Sequence, residues 1–358
     1  MTPYPKRQKK LTAILRRRGV DAFFVSKPEN VRYLSGYCGD DAYLLFAGSG
    51  KFFITDSRYC LQAKKDVKGF RIIIAKGPVS QLVAEISAKS KVRKAAFEAG
   101  QLPYAAYKRI AGKLEEKGIV SLPLEGAIEG LRQVKDAPEI ALIRDSVAIL
   151  ENAVLYFESI LKPGLSENDL ASKTEYFIRA ASGEWASFEI IVASGTNSAF
   201  PHARPSDRII RPNDMVLLDL GVSYEGYKSD LTRVFFLGKI SSKQKKIYGI
   251  VKEAQRRSIK AIKPGAKISE IDGIARGFIN AKGFGSGFSH ALGHGIGLEV
   301  HEGPSISSRN HEEIKPGMVF TIEPAIYLPN WGGIRIEDMV LVTKKGCEVL
   351  TDDIDKRY

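Results

Sequence analysis

The chain has 358 residues, three cysteines and a formal net charge of +13 at neutral pH. This length predicts two domains, each large enough to bury a core, and no apolar run approaches the roughly 20 residues of a membrane-spanning helix. The protein is therefore expected to be soluble. Cys38, Cys60 and Cys347 are odd in number and lack metal-binding CxxC spacing, which predicts free thiols in a reducing, cytoplasmic compartment.

The positive charge does not predict a nucleic-acid partner. Lysine and arginine are spread along the chain in short runs, without the interleaved aromatic residues of a base-stacking surface. The basic first 19 residues contain no apolar stretch before a cleavage site, so they predict an ordinary helix ending near Gly19 rather than a secretory signal.

In chain order, residues 20–125 alternate short apolar runs such as "AYLLFAG" and "FRIIIA" with helical stretches such as "VSQLVAEISAKS". This pattern predicts an N-terminal α/β domain over residues 1–125. A strong helix start follows, with Asp136 as cap and Pro138 in the first turn. We therefore expect a second domain over residues 126–358.

The second domain contains an internal repeat. A helix, the tripeptide "KPG" and a helix capped by a serine beside an acidic residue occur twice, at "LKPGLSENDL" and "IKPGAKISEID". Downstream, Pro212 precedes Asp219 by seven residues, and Pro316 precedes Glu323 by seven. Each half then predicts a β-hairpin, through "YEGYKSDLTRVFFLG" and "LPNWGGIRIEDMVLV".

These hairpins place acidic residues opposite one another. With a turn at Tyr224 and Glu225, Asp219 faces Asp230; with a turn centred on Asn330, Glu323 faces Glu337. Like charges opposite one another destabilise a sheet, and partial burial raises the penalty. Two divalent cations would neutralise four such carboxylates, which predicts a dinuclear metal site.

Three of the five histidines lie within "SHALGHGIGLEVHEGP". Its glycines make a continuous helix improbable and suggest a backbone packed close to a site, with His294 as a nitrogen ligand. His290 and His301 would then contact substrate or a developing negative charge. His202 lies on a loop marked by two prolines, whereas His311 is expected to be an ordinary surface residue.

Together, "LLDLGVSYEGYKSDLTR", "NSAFPHARPSD", "SHALGHGIGLEVHEGP", "MVFTIEPAIY" and "GIRIEDMVLV" resemble the pita-bread metallopeptidases, specifically aminopeptidase P and prolidase. The resemblance implies an α+β fold, with a creatinase-like N-terminal domain and a catalytic domain that has pseudo-two-fold symmetry and a curved antiparallel sheet. It implies two divalent metal ions held by five ligands: Asp219, Asp230, His294, Glu323 and Glu337. Of these, Asp230 and Glu337 are implied to bridge the two ions.

The resemblance also implies that His202, His290 and His301 contact substrate and transition state, and that Arg335 supports the acids. Tyr227 and Thr232 flank the implied ligand Asp230 at positions that match the family's motif. The implied reaction is attack of a metal-bridging hydroxide on the bond preceding proline, with Glu323 as proton shuttle. The oxygen-rich ligand set favours Mn²⁺ or Co²⁺ over Zn²⁺ or Fe²⁺.

The substrate is therefore expected to be a proline-containing dipeptide or oligopeptide, and the protein a homodimer. Prolidase is slightly favoured over aminopeptidase P. Methionine aminopeptidase shares "GHGIG" and "TIEP", but "KSDLTR", His290 and the N-terminal domain argue against it. Complete ligands argue against a metal-free creatinase-like enzyme, and a non-catalytic binding protein of this fold is the alternative from another class.

Overall fold

The computed structural model describes residues 2–352 and residue 354. The chain forms two compact units, the first ending at Arg132 and the second beginning at Gln133. The division thus falls after residue 125, because the segment that follows is tied to the first unit. Asn30 donates to the Glu129 carboxylate at 2.7 Å and accepts from Arg132 at 2.8 Å.

The first unit is α/β, as the sequence predicted. Its strands are β1 (Ala22–Val25), β2 (Tyr43–Ala47), β3 (Gly50–Thr55), β4 (Arg71–Ile74), β5 (Lys94–Glu98) and β6 (Val120–Leu124). Its helices are α1 (Tyr4–Arg17), α2 (Pro28–Ser35), α3 (Cys60–Asp66), α4 (Val79–Lys89), α5 (Tyr104–Glu115) and α6 (Glu129–Arg132). The strands form one mixed sheet in the order β4-β3-β2-β1-β5-β6. Buried Phe24 and Leu45 of the sheet pack with Val83 of α4 and Leu114 of α5.

The second unit contains four helices and twelve strands within the described residues. The helices are α7 (Ala137–Ile160), α8 (Glu167–Ser182), α9 (Ser242–Ala261) and α10 (Ile268–Ala281). The strands of the first half are β7 (Ile191–Ser194), β8 (Met215–Leu220), β9 (Ser223–Tyr224), β10 (Tyr227–Lys228) and β11 (Leu231–Phe236). Those of the second half are β12 (Gly293–Gly295), β13 (Glu302–Ile306), β14 (Val319–Ile322), β15 (Ala325–Leu328), β16 (Gly332–Arg335), β17 (Asp338–Val342) and β18 (Cys347–Val349).

The internal repeat appears as two helix pairs, each followed by antiparallel strands. In the first half, Phe157 of α7 and Leu170 of α8 pack against Leu218 of β8. In the second, Val251 of α9 and Ile271 of α10 lie in a core with Phe320 of β14. Both halves therefore cover one face of their strands with a helix pair, which removes the apolar stripe of each helix from water.

Helix caps follow the sequence in the first half and depart from it in the second. Asp136 caps α7 and Ser166 caps α8, each in a capping box. The expected serine cap of α10 was wrong, because that helix begins earlier, with Lys267 as the preceding residue. Lys267 forms a β-bridge with Glu313, as Ser166 does with Ile209, so the backbone pairing sets the start of the helix.

The two hairpins differ in how well the sequence predicted their register. In the second, Ala325 pairs with Arg335 and Ile322 with Asp338, so the predicted register, with Glu323 facing Glu337, is confirmed. In the first, Asp219 pairs with Thr232, and the predicted pairing with Asp230 was wrong by two positions.

The first turn explains this shift. Glu225 and Gly226 form it, with φ values of 46° and 70°, rather than Tyr224 and Glu225. A two-residue turn with positive φ at both positions favours glycine at the second. Side chains alternate with a period of two, so an even shift leaves each side chain on its original face of the sheet.

All three cysteines are free thiols, as expected from their spacing. Among the described residues, no helix combines the length and the apolar character that crossing a bilayer requires.

Candidate metal centre

The structure brings every residue expected to ligate metal, contact substrate or support the acids into one cavity of the second unit. The cavity has a volume of about 490 Å³, within the range of small-ligand sites. Nine of the residues that line it were singled out in the sequence, and they come from both halves of the repeat: His202, Asp219, Asp230, His290, His294, His301, Glu323, Arg335 and Glu337. His311 is exposed and contacts Ser269, away from this cavity.

The four acids lie on or beside the two hairpins. Asp219 is in β8 and Asp230 directly precedes β11, while Glu323 follows β14 and Glu337 lies between β16 and β17. Asp230 is 4% and Glu337 2% exposed. One donor atom each of Asp230, Glu337 and His294 lies within 4.8 Å of the others, a spacing that a single cation could bridge.

Short β12 holds His294 with its Nε2 atom toward the acids. The backbone N–H of His294 donates to the Thr321 hydroxyl at 3.1 Å. Its Nδ1 lies 3.2 Å from the carbonyl oxygen of Gly295, which can only accept, so Nδ1 carries the proton. The Nε2 lone pair then faces Asp230 and Glu323, each with an oxygen at 3.5 Å. A backbone carbonyl that fixes the tautomer in this way is typical of metal-ligating histidines.

The glycines beside His294 allow β12 to lie close to its neighbours. A Cβ atom added to Gly293 would lie 2.0 Å from the Thr321 carbonyl oxygen, and one added to Gly295 would lie 2.1 Å from that of Gly303. No side chain fits at such distances. The expectation that these glycines pack backbone against the site is confirmed.

Burial and mutual repulsion perturb the acids. Burial raises the pKa of Asp230 well above its ordinary value, and the negative charges of Glu337, Asp219 and Glu323 raise it further. Burial likewise raises the pKa of Glu337, with Glu323 as the largest charged contributor. Burial raises the pKa of Glu323 to about 7. Burial and mutual repulsion therefore disfavour the ionised form of these carboxylates.

The histidines are shifted in the opposite direction. Burial lowers the pKa of both His290 and His294 to about 4, and burial also lowers that of His301. These imidazoles are consequently neutral near pH 7, the form in which a histidine ligates a metal.

Two carboxylate oxygens show directly that these acids suit cations. Asp219 Oδ1 and Glu337 Oε1 are buried and have no hydrogen-bond partner among the described residues. A buried charged oxygen without a partner costs free energy unless a donor or a metal ion meets it. Carboxylate oxygens and one imidazole nitrogen are a donor set suited to divalent ions such as Mn²⁺ or Co²⁺. The residues present therefore fit a metal centre.

A chain of hydrogen bonds links the acids to His290. Arg335 donates to Asp219 Oδ2 at 2.5 Å and to the Tyr327 hydroxyl at 2.5 Å. The Tyr327 hydroxyl lies 3.4 Å from His290 Nε2. Burial raises the pKa of Tyr327 to about 12, so the phenol keeps its proton and can donate to the imidazole.

Thr232 and Tyr227 have different surroundings. The Thr232 hydroxyl donates to Glu337 Oε2 at 2.7 Å and accepts from Arg335 Nε at 2.9 Å, so it orients two site residues. The Tyr227 hydroxyl donates to Glu139 in α7 at 3.0 Å. Thr232 thus contacts the site directly.

Comparisons with known proteins agree with this arrangement. Residues 141–344 match the model of metallopeptidase family M24, and residues 7–134 match the creatinase/prolidase N-terminal domain. The chain belongs to metallopeptidase family M24. It is 36% identical over 348 residues to a Pyrococcus furiosus protein named Xaa-Pro dipeptidase, covering 97% of each chain. The chain is accordingly a metal-dependent hydrolase.

Two solved peptidase structures match almost the whole chain. A Bacillus anthracis Xaa-Pro dipeptidase superposes with a TM-score of 0.94 at 36% identity, covering 98% of both chains. A Thermotoga maritima X-Pro aminopeptidase superposes with a TM-score of 0.89 at 36% identity, covering 96% of this chain and 98% of that one. The predicted two-domain α+β fold is confirmed.

Sequence reasoning missed several residues of this M24 site. Thr321 and Tyr327 orient His294 and His290, and both lie within "TIEPAIY", where an alternation of faces around Glu323 could have indicated them. Phe188 and Glu189 also line the cavity. They precede β7 in a segment without a chemical motif, so only tertiary structure brings them to the site.

Proposed function

We propose that this M24 peptidase is an Xaa-Pro dipeptidase that hydrolyses the bond preceding proline with two divalent metal ions. The observation that carries the proposal is the cluster of buried acids around His294, with oxygens that lack protein partners. The proposed ligands are those named from the sequence: Asp219, Asp230, His294, Glu323 and Glu337. Asp230 and Glu337 are more buried than Asp219 and Glu323, and both would contribute carboxylate oxygens to the ions.

When bound, the ions would supply Lewis-acid chemistry, lowering the pKa of water and polarising the scissile carbonyl. Mn²⁺ or Co²⁺ is favoured, with Zn²⁺ or Fe²⁺ as the other candidates, because geometry and availability discriminate among such ions more than affinity does. Glu323 has a side chain 16% exposed to the cavity, which would let it carry a proton to the proline nitrogen.

The surrounding residues have complementary roles in this proposal. His202, His290 and His301 would contact the substrate, and His202 and His301 would donate to the oxygen on which negative charge develops. Arg335 would hold Asp219 in its ligating orientation while Tyr327 orients His290. Proline as the leaving residue needs a proton on its ring nitrogen, and Glu323 is the proposed source.

The dipeptidase assignment is favoured over aminopeptidase P, which would act on longer peptides. Relatives named Xaa-Pro dipeptidase match almost the whole chain. The similarity to the T. maritima structure named X-Pro aminopeptidase makes aminopeptidase P the second candidate.

A side-by-side assay separates these functions. Purified protein is dialysed against a chelator, Mn²⁺, Co²⁺ or Zn²⁺ is restored separately, and Ala-Pro, Ala-Pro-Ala and Met-Ala-Ser are offered. Metal-dependent cleavage confined to Ala-Pro supports the dipeptidase, and comparable cleavage of Ala-Pro-Ala supports aminopeptidase P. Cleavage of Met-Ala-Ser alone indicates methionine removal, and no cleavage with any metal indicates a binding protein.

We further propose a cytoplasmic homodimer. The three free thiols support a reducing compartment, and the dimer rests on the family resemblance. Light scattering of the purified protein tests the second part, because a monomer mass contradicts it.

A further inference from the structure

Two residues of opposite charge line the cavity besides the proposed metal and substrate contacts. Arg204 Nε lies 3.5 Å from Glu189 Oε2, and their side chains are 83% and 67% exposed. They therefore lie where the cavity opens to water. An ion pair this exposed contributes little to stability, so another carboxylate can displace Glu189 easily.

The other cavity-lining arginine is already engaged. Arg335 is buried and donates to Asp219, to the Tyr327 hydroxyl and to the Thr232 hydroxyl. Among the described residues that line the cavity, no lysine is present. Arg204 is thus the arginine whose guanidinium can turn to an anionic group of the substrate.

The loop that carries Arg204 is anchored on both sides. On one side, Arg335 donates to the carbonyl oxygen of Pro201 at 3.2 Å. On the other, both the N–H and the hydroxyl of Ser206 donate to Glu167, at 3.1 and 2.6 Å. Glu167 is fully buried and also accepts from the N–H and hydroxyl of Ser194. The exposed guanidinium therefore extends from a fixed backbone.

We propose that Arg204 binds the free C-terminal carboxylate of a short peptide substrate, and that Glu189 competes with this carboxylate for Arg204. The inference rests on the proposed peptidase function and extends it to the recognition of substrate length. A dipeptide cut before its last residue carries its carboxylate only one residue beyond the scissile bond. The planar guanidinium matches a carboxylate in a two-point hydrogen bond, whereas an amide or a further residue offers no such charge.

The test compares Ala-Pro with its amide, Ala-Pro-NH₂, which differs only in the terminal charge. For Arg204→Ala we expect KM for Ala-Pro to rise about tenfold with kcat unchanged, the size of one charge-assisted hydrogen bond partly open to water. The KM for the amide should stay unchanged. For Glu189→Gln we expect the opposite sign, a KM for Ala-Pro lowered by about twofold, since a competitor worth a few tenths of a kcal/mol is removed.

Arg211→Ala is the matched control, because Arg211 is exposed in the same unit and does not line the cavity. The inference is overturned if Arg204→Ala changes the KM for Ala-Pro and for Ala-Pro-NH₂ equally, or changes neither. It is also overturned if wild-type protein has the same KM for Ala-Pro and Ala-Pro-NH₂. A rise in KM for Ala-Pro in Glu189→Gln overturns the proposed competition. If wild-type protein restored with each metal cleaves neither substrate, the proposed function itself fails, which is a different outcome from any of these.

Discussion

Replacing Glu323 by glutamine should stabilise the protein when it holds no metal. Folding raises the pKa of Glu323 from 4.5 to about 7, chiefly through burial. The folded state then binds a proton that the unfolded state releases, so stability from this group is full below about pH 4.5 and is lost as pH rises toward about 7. At 1.36 kcal/mol per unit, the penalty grows from about 1 kcal/mol near pH 5 to about 3 kcal/mol near pH 8.

Glutamine removes this penalty without removing the local hydrogen bond. Its amide oxygen can still accept from the Thr321 hydroxyl, which lies 3.2 Å from Glu323 Oε1. Relief of repulsion on Asp230 and Glu337 acts in the same direction. The low pKa values of His290 and His294 make the folded protein less stable as pH falls below 6.5, which opposes the effect of Glu323. Variant and wild type share these histidines, so their contribution cancels when the two proteins are compared at the same pH.

The assay is calorimetric unfolding of chelator-treated protein near pH 5 and near pH 8. Near pH 8 we expect the Tm of Glu323→Gln to exceed that of wild type by about 6–12 °C, at 2–4 °C per kcal/mol for a unit of this size. Near pH 5 the difference should be smaller, about 2–4 °C. Saturating Mn²⁺ should reverse the order, since binding stabilises the wild type more. Exposed Glu312→Gln is the control, and a variant no more stable than wild type near pH 8 refutes the reasoning.

Two further substitutions test the surroundings of the site. Gly293→Ala places a Cβ atom 2.0 Å from the Thr321 carbonyl oxygen. We therefore expect weaker Mn²⁺ binding by calorimetric titration and a lower Tm. The control is Gly277→Ala in α10, where the added Cβ meets nothing within 4 Å, so Mn²⁺ binding should be unchanged and the Tm unchanged or higher. Arg233→Met leaves Asp338 buried without the guanidinium that lies 2.8 Å away, which should cost about 3–5 kcal/mol of unfolding free energy. Urea unfolding measures that loss, and a loss below about 1 kcal/mol would contradict a role for this buried pair.

The sequence predicted the site better than it predicted the strand pairing that forms it. The interpretation that Asp219 faces Asp230 was wrong, because the turn uses Glu225 and Gly226. The grouping of the acids survived, since a shift of two residues preserves the face of each side chain. The second hairpin was predicted correctly, because Asn330 takes the positive φ that its turn needs.

Other features were beyond reach of periodicity and spacing. Glu167 appears in the sequence as part of a helix start, yet it is buried and organises the loop that carries His202 and Arg204. Its partners are distant in the chain, so no local pattern indicates them. Likewise, Glu189 reaches the cavity only through tertiary packing. Short-range patterns indicated the proposed metal ligands, whereas the residues proposed to select the substrate required the fold.

The most direct test of the central claim is a count of bound metal. Chelator-treated protein is titrated with Mn²⁺ while bound metal and Ala-Pro hydrolysis are followed in the same samples, for wild type and for Asp230→Asn. The wild type should bind two ions per chain, with activity complete when both are bound, and Asp230→Asn should lose both metal binding and turnover because it removes a ligand expected to bridge the two ions. Full activity in the wild type with no more than one bound ion, or in Asp230→Asn, would contradict the two-metal centre.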